Sequence, residues 1–292
     1  MIIRFWGTRG SIPTPGLKTI KYGGNTSCIE IRTDGLLLIF DAGTGIRELG
    51  NLLLKEFKNE PIVGHIFISH THWDHIQGIP FFIPAYQSKN EFTFYGPEGT
   101  ELGIEKLLRR QMEKDFFPVP LNEMKANLKF VDKRSEIVIN KTKINFQKVN
   151  HPGITYAHKV ESEGKLVVYT SDNEPNYKKI KRIVDGEEKI EISTSIDEKL
   201  IKFAKDADLL ICDSQYVPEE YKLKVGWGHS TYEDAVSLAI EGNVKQLVLF
   251  HYDPTYSDEF IDGIVKDAKK LLKSKNGTVQ CIPAKEGLKI KV

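Results

Sequence analysis

The chain has 292 residues, 40% of them hydrophobic, and 41 lysines and arginines against 40 aspartates and glutamates. This length can bury a substantial core as one α/β domain over residues 1–292, and no apolar run is long enough to span a bilayer. The near-neutral balance argues against holding long nucleic acid by charge alone, though not against a small phosphorylated substrate.

The chain opens on an apolar run with no cationic leader, so a cytoplasmic location is expected. Short strands at 2–6, 27–32 and 36–40 are punctuated by glycine-rich turns, Trp6-Gly7-Thr8-Arg9-Gly10-Ser11-Ile12-Pro13 and Tyr22-Gly23-Gly24-Asn25-Thr26-Ser27. After Phe40-Asp41-Ala42-Gly43-Thr44-Gly45, apolar residues recur at helical spacing through Leu53. Further strands are expected at 64–69, 92–95, 144–149, 166–170, 209–212 and 247–250. Helices are expected at 101–114, 197–207, 232–241 and 258–273. The charge-rich stretch 176–194 shows little periodicity and reads as a surface insertion. The cysteines (Cys28, Cys212, Cys281) are far apart and odd in number, so neither a disulfide framework nor a thiolate zinc site is suggested.

The chemistry concentrates in Ser69-His70-Thr71-His72-Trp73-Asp74-His75. A lone histidine is usually a packed or solvated residue. Three imidazoles and a carboxylate so close together at the end of an apolar strand suit zinc, manganese or iron instead. Four later strands also run out on ligand-capable residues: His151, Asp172, Asp213 and His251. Each alone is most simply a polar strand end. Together, at the carboxyl ends of α/β strands, they mark a site.

These residues resemble the signature of the metallo-β-lactamase superfamily, His-x-His-x-Asp-His followed by a distant His, Asp and His. The matching positions are His70, His72, Asp74, His75, His151, Asp172 and His251. The resemblance implies a four-layer αββα sandwich. It implies one metal held by His70, His72 and His151 and a second by Asp74, His75 and His251, with Asp172 bridging. Zinc is the first expectation for both ions, with manganese or iron as alternatives. Two such ions about 3.5–4 Å apart can share a hydroxide and clamp the oxygens of a diester. Asp74 would ligate and orient that hydroxide.

Two further motifs point to diester cleavage. Gly228-His229-Ser230-Thr231 precedes a helix whose start reads as an S-x-x-E capping box between Ser230 and Glu233. Ala207–Asp213 is a strand ending in a carboxylate. Both resemble the transfer-RNA 3′-processing endonuclease (RNase Z) branch, which implies His229 as the acid protonating the leaving oxygen and Asp213 as its orienting partner. The chain departs from that branch in three respects. It has Asp213 where those enzymes use Glu, it reads His251-Tyr252-Asp253-Pro254 after the last ligand, and it shows no glycine- and proline-rich RNA-gripping arm.

The expectation is therefore a phosphodiesterase for a small cyclic nucleotide or cyclic sugar phosphate, either as a single chain or as a homodimer, and without a membrane partner. An RNase Z-like endoribonuclease, with nucleic acid as partner, is the alternative. A regulatory protein that holds a nucleotide without turnover is the rival from another class. Phe116 and Phe117, with Arg109 and Arg110 upstream, suit either a rim over the cleft or a loop packed on the core, and packing is the commoner role.

Overall fold

The computed structural model describes residues 1–97, 102–132, 136–184, 187–275 and 277–292. Its frame is two seven-stranded sheets. The first takes β1 (Ile2–Gly7), β2 (Cys28–Thr33), β3 (Leu36–Phe40), β4 (Val63–Phe67), β5 (Glu91–Gly96) and β6 (Asn127–Asp132) in chain order. The second begins with β7 (Ile137–Ile139), β8 (Thr142–Lys148), β9 (Tyr156–Ser162) and β10 (Lys165–Tyr169). Next, β11 (Asn176–Val184) and β12 (Glu187–Ser195) form a separate antiparallel ribbon. β13 (Leu209–Asp213), β14 (Gln246–Phe250) and β15 (Gln280–Pro283) complete the second sheet beside β10, and β16 (Lys289–Lys291) returns to pair with β1.

The helices are α1 (Gly45–Phe57), α2 (Trp73–Ile76), α3 (Gly103–Gln111), α4 (Glu198–Ala204), α5 (Pro218–Lys224), α6 (Tyr232–Glu241) and α7 (Asp258–Ser274). Period-two alternation places them. On β3, Leu38 and Phe40 face the second sheet, while Leu37 and Ile39 face Ile46, Leu49 and Leu53 of α1 and Leu108 of α3. The outer face of the second sheet is covered by apolar residues of α4, α6 and α7, among them Leu200, Leu238 and Ile264. The layers are therefore helix, sheet, sheet and helix, the expected αββα sandwich. Between the sheets, Phe40, Phe67 and Tyr95 stack in a row, and His158 meets Phe40 edge-on at 5.3 Å.

Strand direction gathers the site. β3 to β6 run parallel, as do β10, β13, β14 and β15. β8 is antiparallel to β9, which is antiparallel to β10, so β8 and β10 point the same way. Their carboxyl ends share one edge, where Arg9 pairs with Tyr252 across the sheets. No helix among the described residues is long and apolar enough to cross a membrane.

Several expectations need correction. The helix expected over 101–114 is α3, which ends at Gln111, and Glu101 lies outside the described residues. The helix expected over 197–207 is the shorter α4, because Asp197 caps it, accepting from the Lys199 N–H at 2.8 Å. The stretch 176–194 forms the β11–β12 ribbon, with residues 185 and 186 outside the described residues. The capping box lies one residue later than expected, between Thr231 and Asp234. Ser230 cannot cap because its hydroxyl donates to the Asn173 carbonyl. Strands β6 and β9 and helix α5 lie outside the expected elements because charged residues interrupt their apolar patterns, and β7, β15, β16 and α2 because they are only three or four residues long.

Candidate metal centre

The dense motif occupies the turn from β4 into α2. His72 is the extended N-cap of that short helix, and Asp74 and His75 follow in its first turn. Local geometry therefore turns the side chains of four near neighbours to one side. The His72 Nδ1 lies 3.0 Å from His70 Nε2 and 3.0 Å from His151 Nε2. Nitrogens bound at 2.0–2.1 Å around a tetrahedral ion would sit about 3.3 Å apart. Beside this trio, Asp74 Oδ2 is 3.1 Å from His251 Nε2 and 3.4 Å from His75 Nε2.

Asp172 stands between the two groups. Its Oδ2 is 3.4 Å from His70 Nε2 and 3.2 Å from His75 Nε2, and its Oδ1 is 3.3 Å from His251 Nε2. The seven side chains thus form two four-membered donor sets that share Asp172.

The donor chemistry fits divalent cations. His75 Nε2 and Asp172 Oδ1 are buried without a hydrogen-bond partner, and such orphaned groups are costly unless something else satisfies them. Burial, reinforced by neighbouring imidazoles, keeps the His70 pKa well below its ordinary value, and burial lowers that of His151 to about 4. Neutral imidazole is the form that binds metal. Although burial alone would raise their pKa values, the surrounding histidines hold Asp74 and Asp172 well below the usual carboxylate range.

Behind the donors lies a supporting layer. Asp41 Oδ2 accepts from His75 Nδ1 at 2.8 Å, from the Ser69 hydroxyl at 2.9 Å and from the Tyr169 hydroxyl at 2.7 Å. Its Oδ1 accepts from the Ser69 N–H at 2.8 Å. This carboxylate favours the His75 tautomer with the proton on Nδ1, which leaves Nε2 free to bind a cation. Asp41, Ser171 and His251 all hold left-handed backbone angles, which turn the chain sharply where these strands end. Gly10 and Gly228 are required by close approach. A Cβ on Gly10 would sit 2.5 Å from the His251 ring, and one on Gly228 would sit 2.2 Å from His151 Nδ1. Gly228 also has φ of +93°.

His229 and Asp213 lie against this centre. His229 Nδ1 is 3.0 Å from Asp213 Oδ2, and its ring stacks on that of His251 and meets that of His151 edge-on, each at 5.2 Å. Burial opposes a charge on His229, yet Asp213, with Asp172 and Asp74 beyond it, lifts its pKa to about 9. Asp213 Oδ1 accepts from the Gln215 N–H, so both carboxylate oxygens are engaged.

The Beta-lactamase superfamily domain matches residues 37–252, which take in every donor named above. The chain belongs to this superfamily. Ribonuclease Z of Picrophilus torridus is 28% identical over 298 residues, covering 92% of this chain and 90% of that protein. Among solved structures, the metallo-β-lactamase fold protein YhfI from Bacillus subtilis superposes with a TM-score of 0.70. It is 19% identical and covers 99% of this chain and 98% of its own. The short form of human tRNase Z gives a TM-score of 0.64 at 18% identity, covering 100% and 99%. Both structures share the superfamily fold.

The structure brings all nine sequence-derived site residues to one edge. It also adds three groups that the sequence reading missed. Glu174 is buried and accepts from Tyr221 OH, Gly226 N–H and Gly228 N–H, clamping the turn that presents His229. The Ser11 N–H donates to Asp74 Oδ2 at 2.7 Å. Buried Arg9 donates to the carbonyls of Gly23, Asp253 and Tyr256, tying three loops together. Only the position of Glu174 two residues after Asp172 hinted at a role, and a backbone donor such as Ser11 leaves no trace in composition.

Proposed function

We propose that this superfamily member is a metal-dependent phosphodiester hydrolase whose substrate is a compact diester, a cyclic nucleotide or cyclic sugar phosphate. The observation that carries the reading is the Asp213–His229 pair, 3.0 Å apart, set against two donor groups that share one carboxylate. His70, His72, His151 and Asp172 would hold one ion, and Asp74, His75, His251 and Asp172 the other. Two divalent ions there, zinc by donor type, supply Lewis-acid charge and lower the pKa of water.

The chain's own groups do the rest. Asp74, held by the Ser11 N–H, orients the attacking oxygen. Asp213 accepts the Nδ1–H of His229, which leaves Nε2–H to protonate the departing alkoxide. The Asp213 carboxylate favours the protonated imidazole, and a positioned acid is worth about 10²–10⁴ in rate. A protein that merely bound nucleotides would have no use for this acid.

A second reading, RNA 3′-end processing, is favoured by relatives named Ribonuclease Z that match along nine-tenths of both chains. Two features favour the compact substrate. The chain runs from His151 to Asp172 through a tight hairpin, β9–β10, turned by Glu163 and Gly164, and its net charge is only +1. Turnover of a cyclic nucleotide and of a precursor transfer RNA, each across a salt series, tests the choice. A compact diester should be cleaved with a shallow salt dependence. Cleavage of the RNA alone, falling steeply with salt, would establish the endonuclease instead.

A further inference from the structure

The metal motif borders a cleft of about 760 Å³ whose walls are α2 and the chain from the end of α3 to Phe116. That volume is within the range of about 300–1,000 Å³ typical of small-molecule sites. Thr71 and Trp73 line it, and each lies between two candidate ligands in sequence, Thr71 between His70 and His72 and Trp73 between His72 and Asp74. Consecutive Cα atoms are about 3.8 Å apart, so the cleft and the donors are separated by little more than the backbone of the motif itself. Gln111 holds its walls together by donating to the Ile76 carbonyl at 3.0 Å.

Two aromatic side chains at this cleft are left in solvent. Trp73 is 79% exposed and Phe116 is 77% exposed. Tryptophan is normally well buried, and paired exposed aromatics beside a reactive centre mark a contact surface. Phe116 is not there to pack its loop. That task falls to its neighbour Phe117, which meets Phe81 edge-on at 5.5 Å.

The charges select the occupant. Arg109 is paired with Glu105, whereas Arg110 has no carboxylate partner among the described residues. The cleft also carries Glu113 and Asp115. One cation against two carboxylates does not make a phosphate pocket, and it repels the backbone of a long RNA. It does suit a neutral, flat heterocycle, with aromatic faces for stacking and carboxylates to accept its N–H groups.

We infer that this cleft is a nucleobase subsite, in which Trp73 and Phe116 stack the base of a cyclic mononucleotide while its phosphate lies at the metal centre. The inference rests on the compact-diester reading and narrows it from any cyclic phosphate to a nucleotide.

The metal-loaded protein is compared with Trp73→Ala, Phe116→Ala and Trp73→Phe. Substrates are adenosine 3′,5′-cyclic phosphate and the base-free methyl ribofuranoside 3′,5′-cyclic phosphate, with metal content confirmed equal. Loss of base stacking should raise KM for the nucleotide by roughly 5- to 150-fold in the alanine variants. The KM for the base-free diester should not move, kcat should be little changed, and Trp73→Phe should restore most of the affinity. An equal rise on both diesters, or no change on either, overturns the subsite.

If neither diester is hydrolysed, the proposed function fails, and the subsite is decided by binding alone. Adenosine monophosphate should then saturably quench tryptophan fluorescence, more weakly in Phe116→Ala and not at all in Trp73→Phe. Absence of saturable quenching in the unaltered protein refutes it.

Discussion

The two donor sets differ in depth. His72, in the set with His70 and His151, is exposed, and this set contributes only imidazoles besides the shared Asp172. The set of Asp74, His75 and His251 is buried throughout, adds a carboxylate of its own, and is backed by Asp41 and Tyr169. A buried, charge-rich set with a full hydrogen-bonded layer behind it should hold its ion rigidly and release it slowly. The shallow set reaches solvent through His72. Chelator should therefore strip the two ions in sequence, the His70–His72–His151 ion first.

The largest effect is expected at the residue that belongs to both sets. Asp172→Ala should lose both ions by elemental analysis and abolish diester turnover. Retention of two ions with full activity would remove Asp172 from the centre. His229→Ala should keep both ions yet lose about 10²–10⁴ in kcat on an alkyl-leaving diester. With p-nitrophenolate leaving, which needs no proton, the loss should be far smaller. Equal losses on the two substrates would assign His229 to binding.

Asp41→Asn should act on the deep set alone. An amide cannot accept all the hydrogen bonds that the carboxylate does, and supporting residues of this kind are worth about 10–100-fold in metal affinity. Tyr169→Phe removes one of those bonds and should be milder, about 1 kcal/mol of stability by thermal unfolding. If Asp41→Asn weakens both ions equally, the sets are not independent.

The smallest effect on activity, though not on stability, belongs to His158. Burial between the sheets lowers its pKa to about 4 from an ordinary 6.5. The unfolded chain therefore binds more protons between those values. His158 costs nothing above pH 6.5, and stability is lost as pH falls from 6.5 through 4, by about 3 kcal/mol. Denaturant unfolding across that window should show a shallower pH slope for His158→Phe, with turnover at neutral pH unchanged.

Legibility in the sequence followed distance along the chain. Six of the eight histidines belong to the site, and the dense motif was readable because its four donors lie within one strand-to-helix turn. The remote donors were readable as strand ends, since the end of each apolar run marks where its strand stops. Glu174 and the Ser11 N–H were not, because both act through backbone donors brought close only by loops from other parts of the fold.

The sequence by itself determined the donor inventory and the alternation of strands with helices, because residue type and hydrophobic period act locally, while the four-layer order was implied by the family resemblance. Competition for partners was left to the tertiary structure. Ser230 and Glu233 have the pattern of a helix cap, yet the Asn173 carbonyl takes the Ser230 hydroxyl, and the cap moves to Thr231 and Asp234. Phe116 and Phe117 are the same residue twice, and only the position of Phe81 decides which packs and which faces the cleft. Local pattern sets which groups are available. The choice among equal candidates goes to whichever one the folded chain leaves without a nearer partner.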